Sequence, residues 1–237
     1  MSALQQEIKG TLLEIGTATW KIIIIENSST GFSHDSELAN WTKIGIASGF
    51  LACIAHPLMV FVYLPRIPQV LLGASFGPAL AVASVAQAHV LQARRYTPSL
   101  ELAAICNALA GALVTAEIIV QLAINCSTAS PADDQLASLF RDNLWDIVLG
   151  LDVSFDVFIG LTTLLFAVNM MHDSRFGRII GWAGVFVSVV MLFGANIYFF
   201  PDPPYTHGFP HVGLFTGLWY LAVVLLMVRS LLRREKT

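Results

Sequence analysis

Six stretches of this chain stay apolar for about the 20 residues that a helix needs to cross roughly 30 Å of hydrocarbon. They run roughly from Lys43 to Leu64, Ile67 to Gln92, Ser99 to Asn125, Asn143 to Met170, Gly177 to Phe200 and Val212 to Leu231. The segments between them carry turn chemistry: Pro65 with Pro68, Pro98, a polar stretch from Cys126 to Asp142, His172 to Ser174, and PDPPYTHGFPH. The expected fold is therefore all-α, a polytopic membrane protein built as a bundle of six transmembrane helices. Composition agrees, since only 12% of the 237 residues are charged, about half the share of a soluble domain. A net charge of −3 is too small to indicate an electrostatic partner, and nucleic acid is excluded as one. Cys53, Cys106 and Cys126 fall in no metal or disulfide spacing.

Orientation follows from the basic residues, which are retained on the cytoplasmic side of span ends. Lys9, Lys21, Lys43, Arg94, Arg95, Arg175, Arg178, Arg229, Arg233, Arg234 and Lys236 fall on one side, and only Arg66 and Arg141 on the other. Both termini are expected in the cytoplasm of a multi-pass protein of the plasma membrane. The organisation expected is an N-terminal cytoplasmic or interfacial segment (1–40), a six-helix domain (41–231) and a basic tail (232–237). MSALQQEIKG lacks the basic start of a cleavable signal, so the first residues are expected to persist, with Leu4, Ile8, Leu12, Ile15 and Ile22 at helical spacing for the membrane interface or as a cap on the bundle. Gly45 with Gly49, Gly73 with Gly77, and Gly213 with Gly217 have the small-xxx-small spacing of close helix contacts, within the chain or in a homo-oligomer.

Ionisable residues inside the spans are costly in hydrocarbon and so are the best pointers to function. They are His56, Glu117, Asp146, Asp152 and Asp156. Counted from the outer span ends, His56, Glu117 and Asp152 come out about 12 to 13 Å deep, Asp156 about 20 Å and Asp146 about 5 Å. On the fourth span Asp142, Asp146, Asp152 and Asp156 share an arc of about 120°, and on the third Glu117, Gln121, Asn125 and Asn107 share about 80°. His56 lies on the face of Gly45, Gly49 and Ala52, beside the helix-distorting Pro57. All these groups are expected to face protein rather than lipid, with Gln121, Asp146 and Asn196 lining a pocket open to the outside. No Lys or Arg falls in that layer, so the acids must share protons, hold a cation or see water.

The leading expectation is a proton- or cation-coupled carrier of a small solute or ion, in which Asp152, Asp156 and Glu117 bind the ion and His56 tunes or relays the proton. The alternative is an intramembrane enzyme acting on a lipid or apolar small molecule, with acid–base chemistry on the same residues. A third possibility is an accessory subunit of a membrane complex. No cofactor is identified beyond a bound cation or divalent metal, for which His56, Glu117, Asp152 and Asp156 are candidate ligands. His207 and His211, four apart in the fifth loop, are weaker ones because Gly208 and Pro210 oppose a helical turn. GLDVSFD contains Asp152 and Asp156 as DxxxD and resembles half of the motif of CDP-alcohol phosphotransferases, but the DxxDGxxAR segment that precedes it there is absent.

Overall fold

The computed structural model describes residues 34–62, 64–127, 135–195 and 212–234. They form six helices: α1 (His34–Phe61), α2 (Arg66–Gln92), α3 (Pro98–Ser127), α4 (Gln135–Met170), α5 (Gly177–Val189) with a π-helical turn (Val190–Ala195) at its end, and α6 (Val212–Arg234). No strand occurs among the described residues. Five of the helices, α1, α2, α3, α4 and α6, are long and apolar enough to cross a membrane. That fits a multi-pass integral membrane protein. The fifth stretch gives a shorter apolar helix, Gly177–Leu192. The expected interfacial helix in the first 25 residues, Asn196, and the histidines at 207 and 211 lie outside the described residues.

Leu38 to Thr237 form one compact unit, in which each helix packs on the next and the last returns to the first. Glycine permits the closest approaches. A Cβ at Gly77 of α2 would collide with the carbonyl oxygen of Gly111 and the Thr115 hydroxyl of α3, and a Cβ at Gly111 would sit 2.5 Å from the carbonyl oxygen of Gly77. Gly45 and Gly49 of α1 do the same against Met227 and Val224 of α6, with Ala86 of α2 alongside. Two of the three expected glycine pairs therefore serve contacts inside the chain. The third does not: Cβ atoms at Gly213 and Gly217 would meet nothing within 4 Å.

Side chains then tie neighbouring helices to one another's main chain. Asn107 of α3 donates to the Leu80 carbonyl of α2 at 3.0 Å, and Thr162 of α4 donates to Ala103 of α3 at 3.2 Å. Ser188 of α5 donates to Gly160 of α4 at 2.9 Å, and the Trp219 indole of α6 to Ile180 of α5 at 2.9 Å. Trp41 of α1 stacks on His89 of α2, ring centres 4.2 Å apart. Around these ties lie Phe166, Leu100, Ile159, Met170, Met191 and Val223, all fully buried. Outward, α5 presents Ile179, Trp182 and Phe186, which are 84%, 64% and 71% exposed, as a lipid-facing stripe. Cys53 and Cys106 are free thiols.

The short turns at one end, 93–97 and 171–176, hold Arg94, Arg95, Arg175 and Arg178 close by, and we call this the basic end. It is fastened by Asp173, whose carboxylate takes hydrogen bonds from the Arg175 guanidinium on both oxygens. Arg175 also donates to the Val90 carbonyl of α2 at 2.6 Å. Burial alone would raise the Asp173 carboxyl, but the bonds from Arg175 and the charges of Arg175 and Arg94 hold it below the ordinary carboxylate range.

Two outcomes check this packing. Gly77→Val, which forces α2 from α3, is expected to cost on the order of 3 kcal/mol in thermal or denaturant unfolding in detergent. Gly150→Ala, where a Cβ would meet nothing within 4 Å, is expected to be neutral. Asp173→Asn should cost about 1.5 to 3 kcal/mol at pH 7 by removing a charged hydrogen-bond acceptor. Because the folded carboxyl is depressed, its stabilisation is present above about pH 4 and lost as pH falls through the lowered value. Stability measured downward from pH 5 should thus fall for the native chain with a step that the Asn variant lacks.

Candidate functional site

The end opposite the basic turns carries the acids. α3 and α4 have 30 and 36 residues, lengths of about 45 and 54 Å. Both exceed the roughly 30 Å of a hydrocarbon core. Measured from the basic ends of their helices, Glu117 stands about 28 Å up α3, Asp152 about 27 Å and Asp156 about 21 Å up α4. Phe76 of α2, whose ring centre lies 5.6 Å from that of His56, stands about 24 Å up. If hydrocarbon begins at the basic turns, His56, Glu117 and Asp152 occupy one layer near its far boundary, with Asp156 more than a turn deeper.

Within that layer Glu117, Asp152 and Asp156 are electrostatic neighbours across the α3–α4 seam. Glu117 is buried, 8% exposed, and its Oε1 accepts a hydrogen bond from Gln121 Nε2 at 2.7 Å. Asp156 is half-buried and Asp152 exposed. Exposure does not follow depth: Glu117, level with the exposed Asp152, is buried, and Asp156, more than a turn deeper, is half-buried. Among the described residues, the ion pair found is Asp173 with Arg175 at the far end, and no described basic group pairs with Glu117 or Asp156.

Helical phase accounts for this. On α3, Glu117 and Gln121 share the face of the buried Asn107, Ala110 and Val114, so the seam encloses them. On α4, Asp152 and Asp156 lie in phase with the buried Ile159, Thr163, Phe166 and Met170. Glu117 is buried, whereas Asp152, Asp146, Asp142 and His56 are all exposed. The described part of α5 ends at Ala195, and α6 begins at Val212 with Gly213, Leu214 and Phe215 exposed. The Phe76 ring stands beside His56. Cys53, one turn below it, lies 4.0 Å from the Gly217 carbonyl of α6, and α1 remains helical through Pro57.

Among the described residues no group of three or more His, Cys, Asp or Glu side chains is arranged to hold a metal ion. The chemistry open to the seam is that of a carboxyl cluster taking up protons or a weakly held cation. Below it lies a neutral polar core that counting charges misses: Gln87, Ser84, Asn107, Thr162, Thr163 and Tyr220 are all buried. The Gln87 amide nitrogen and the Asn107 amide oxygen have no hydrogen-bond partner there among the described groups. The one sequence sign of this core is the position of Asn107 on the Glu117 face.

Like charges held together without a basic partner repel. Glu117→Gln, which keeps the shape, is expected to raise stability by about 1 kcal/mol at alkaline pH, and Asp156→Asn likewise. The double variant should gain less than the sum, which a thermal-unfolding double-mutant cycle reads directly. No protein-family model matches the chain, and no curated protein or solved structure matches it in sequence or fold.

Proposed function

We propose that the protein is a proton- or cation-coupled carrier of a small solute or ion, a six-span bundle with both termini in the cytoplasm, whose acidic end opens to the outer side. The observation that supports this reading most is the placement of Glu117, Asp152 and Asp156. Three carboxyls from two helices are electrostatic neighbours along one seam, an exposed Asp152 level with a buried Glu117 and a half-buried Asp156 deeper, and no described basic group pairs with Glu117 or Asp156. An exposed carboxylate at the mouth attracts a cation or proton from water. The covered pair then gains from accepting it, because each uncompensated charge is costly at that depth.

In this reading Asp152 is the first acceptor, Glu117 and Asp156 form the inner site, and Gln121 orients Glu117 through its hydrogen bond. His56, against Phe76 on α1, tunes the proton affinity of the mouth. The excess of basic residues at the other end supports the assigned orientation.

Reconstituted into proteoliposomes with an imposed pH or Na⁺ gradient, the native chain is expected to carry a coupled ion flux. Glu117→Gln and Asp156→Asn should each reduce it about tenfold or more, the loss of one charge-assisted ligand. Asp152→Asn should act mainly on the external ion concentration needed for half-maximal flux. Equal flux in the native chain and in both Glu117→Gln and Asp156→Asn overturns the reading.

A further inference from the structure

The basic end carries a second feature, about 27 Å along the helices from the acids and independent of the carrier reading. Between the α2–α3 and α4–α5 turns lies a small open cleft of about 40 Å³. Its rim is formed by Arg94, Arg95 and His172, and its floor by Leu91, Leu100 and Asn169. Leu91 and Leu100 are buried, whereas both arginines and His172 are exposed. Arg94 is positioned across the two turns by its 2.9 Å hydrogen bond to the Ser174 hydroxyl. His172 is oriented by a 3.1 Å contact between Nδ1 and the Val168 carbonyl, which leaves Nε2 on the other side of the ring.

One acid, Asp173, also lines the cleft. Its charge is engaged by Arg175 on both oxygens. The cleft therefore keeps two guanidinium groups as donors, with an imidazole beside them, around a space floored by apolar side chains and one amide. Guanidinium forks match tetrahedral oxyanions. The cleft sits where the spans leave the hydrocarbon, and α5, with its lipid-facing Ile179, Trp182 and Phe186, begins at the same turn.

We propose that this cleft binds the phosphate group of an anionic phospholipid, with Arg94 and Arg95 on the phosphate oxygens and the acyl chains lying along the apolar stripe of α5. The same oxyanion chemistry would admit a free phosphate, but the apolar floor and the adjoining lipid face favour the lipid. Basic pockets between helices at a membrane surface gain from this charge pairing.

The test uses the full chain in nanodiscs of phosphatidylcholine containing a minor share of phosphatidylglycerol, followed by transfer to detergent and native mass spectrometry of the lipids retained. The native chain is expected to prefer phosphatidylglycerol about thirtyfold, the contribution of two basic groups near the surface. The Arg94→Gln/Arg95→Gln double variant should lose that preference, and the Arg94→Lys/Arg95→Lys variant should keep most of it. Thermal unfolding checks that each variant is folded. Should loss of the Ser174 contact unfold the double variant, Arg95→Gln alone is expected to lower the preference about fivefold. Absence of preference in the native chain, or full preference in folded Gln variants, overturns the proposal. So does saturable binding of inorganic phosphate in pure phosphatidylcholine discs with no preference for the anionic lipid. Coupled ion flux is expected to persist in the double variant, so failure here and failure of the carrier reading are separate results.

Discussion

The bundle depends on a hydrogen bond of one kind, a side-chain donor on one helix bonded to a main-chain carbonyl of its neighbour. In hydrocarbon there is no hydrophobic drive to bring helices together, so packing and such bonds must do it. Four seams use one: Asn107 to Leu80, Thr162 to Ala103, Ser188 to Gly160 and Trp219 to Ile180. A helix carbonyl already bonded within its own helix retains a second lone pair, so the added bond costs the helix nothing. It does require the backbones to come close. Gly77 and Gly111 face each other in the α2–α3 seam and Gly160 lies in the α4–α5 seam, each crowded by the neighbouring helix. Distance and bond are two sides of one constraint.

That constraint fixes the relative height of the helices, and height makes the two ends different. At the basic end the turns are short, and Arg175 bonds both Asp173 and the Val90 carbonyl, closing α2 against the α4–α5 turn. At the other end α3 and α4 run on past the described ends of α5 and α6. There Asp142, Asp146 and Asp152 of α4 are exposed. A carboxylate at the end of a long helix can reach water while its neighbour one turn away is enclosed, without any change in the direction either faces.

Much of this was legible in the sequence. Apolar runs of membrane length located all six helices, and periodicity put Glu117, Asp152 and Asp156 on inward faces. Periodicity describes rotation about one helix, however, and says nothing of how far a different helix extends beside it. It put Asp152 and His56 on faces turned toward protein beside a pocket open to the outside, and both are exposed. The glycine spacings named close contacts but not partners: Gly45 and Gly49 meet α6, which is far away in sequence. Neutral polar groups were the larger omission. Thr162, Thr163, Gln87 and Tyr220 carry no charge and sit in apolar runs, where nothing distinguishes them from filler until their neighbours are known.

The same hydrogen-bond pattern bears on whether the acids merely hold helices together. Asn, Thr, Ser and Trp can join helices here because each offers a proton to a carbonyl. An ionised carboxylate offers none; it only accepts. Between two helices whose main-chain donors are consumed internally, Glu117 finds one donor, the Gln121 amide on its own helix, and that bond joins nothing to α4. Across the seam it meets Asp152 and Asp156 instead. While ionised, a group that only accepts hydrogen bonds, and that faces two more of its own charge, weakens the seam in which it sits. The seam gains when a proton or cation is taken up there, which is the basis for proposing that the acids serve transport and the neutral polar core the fold.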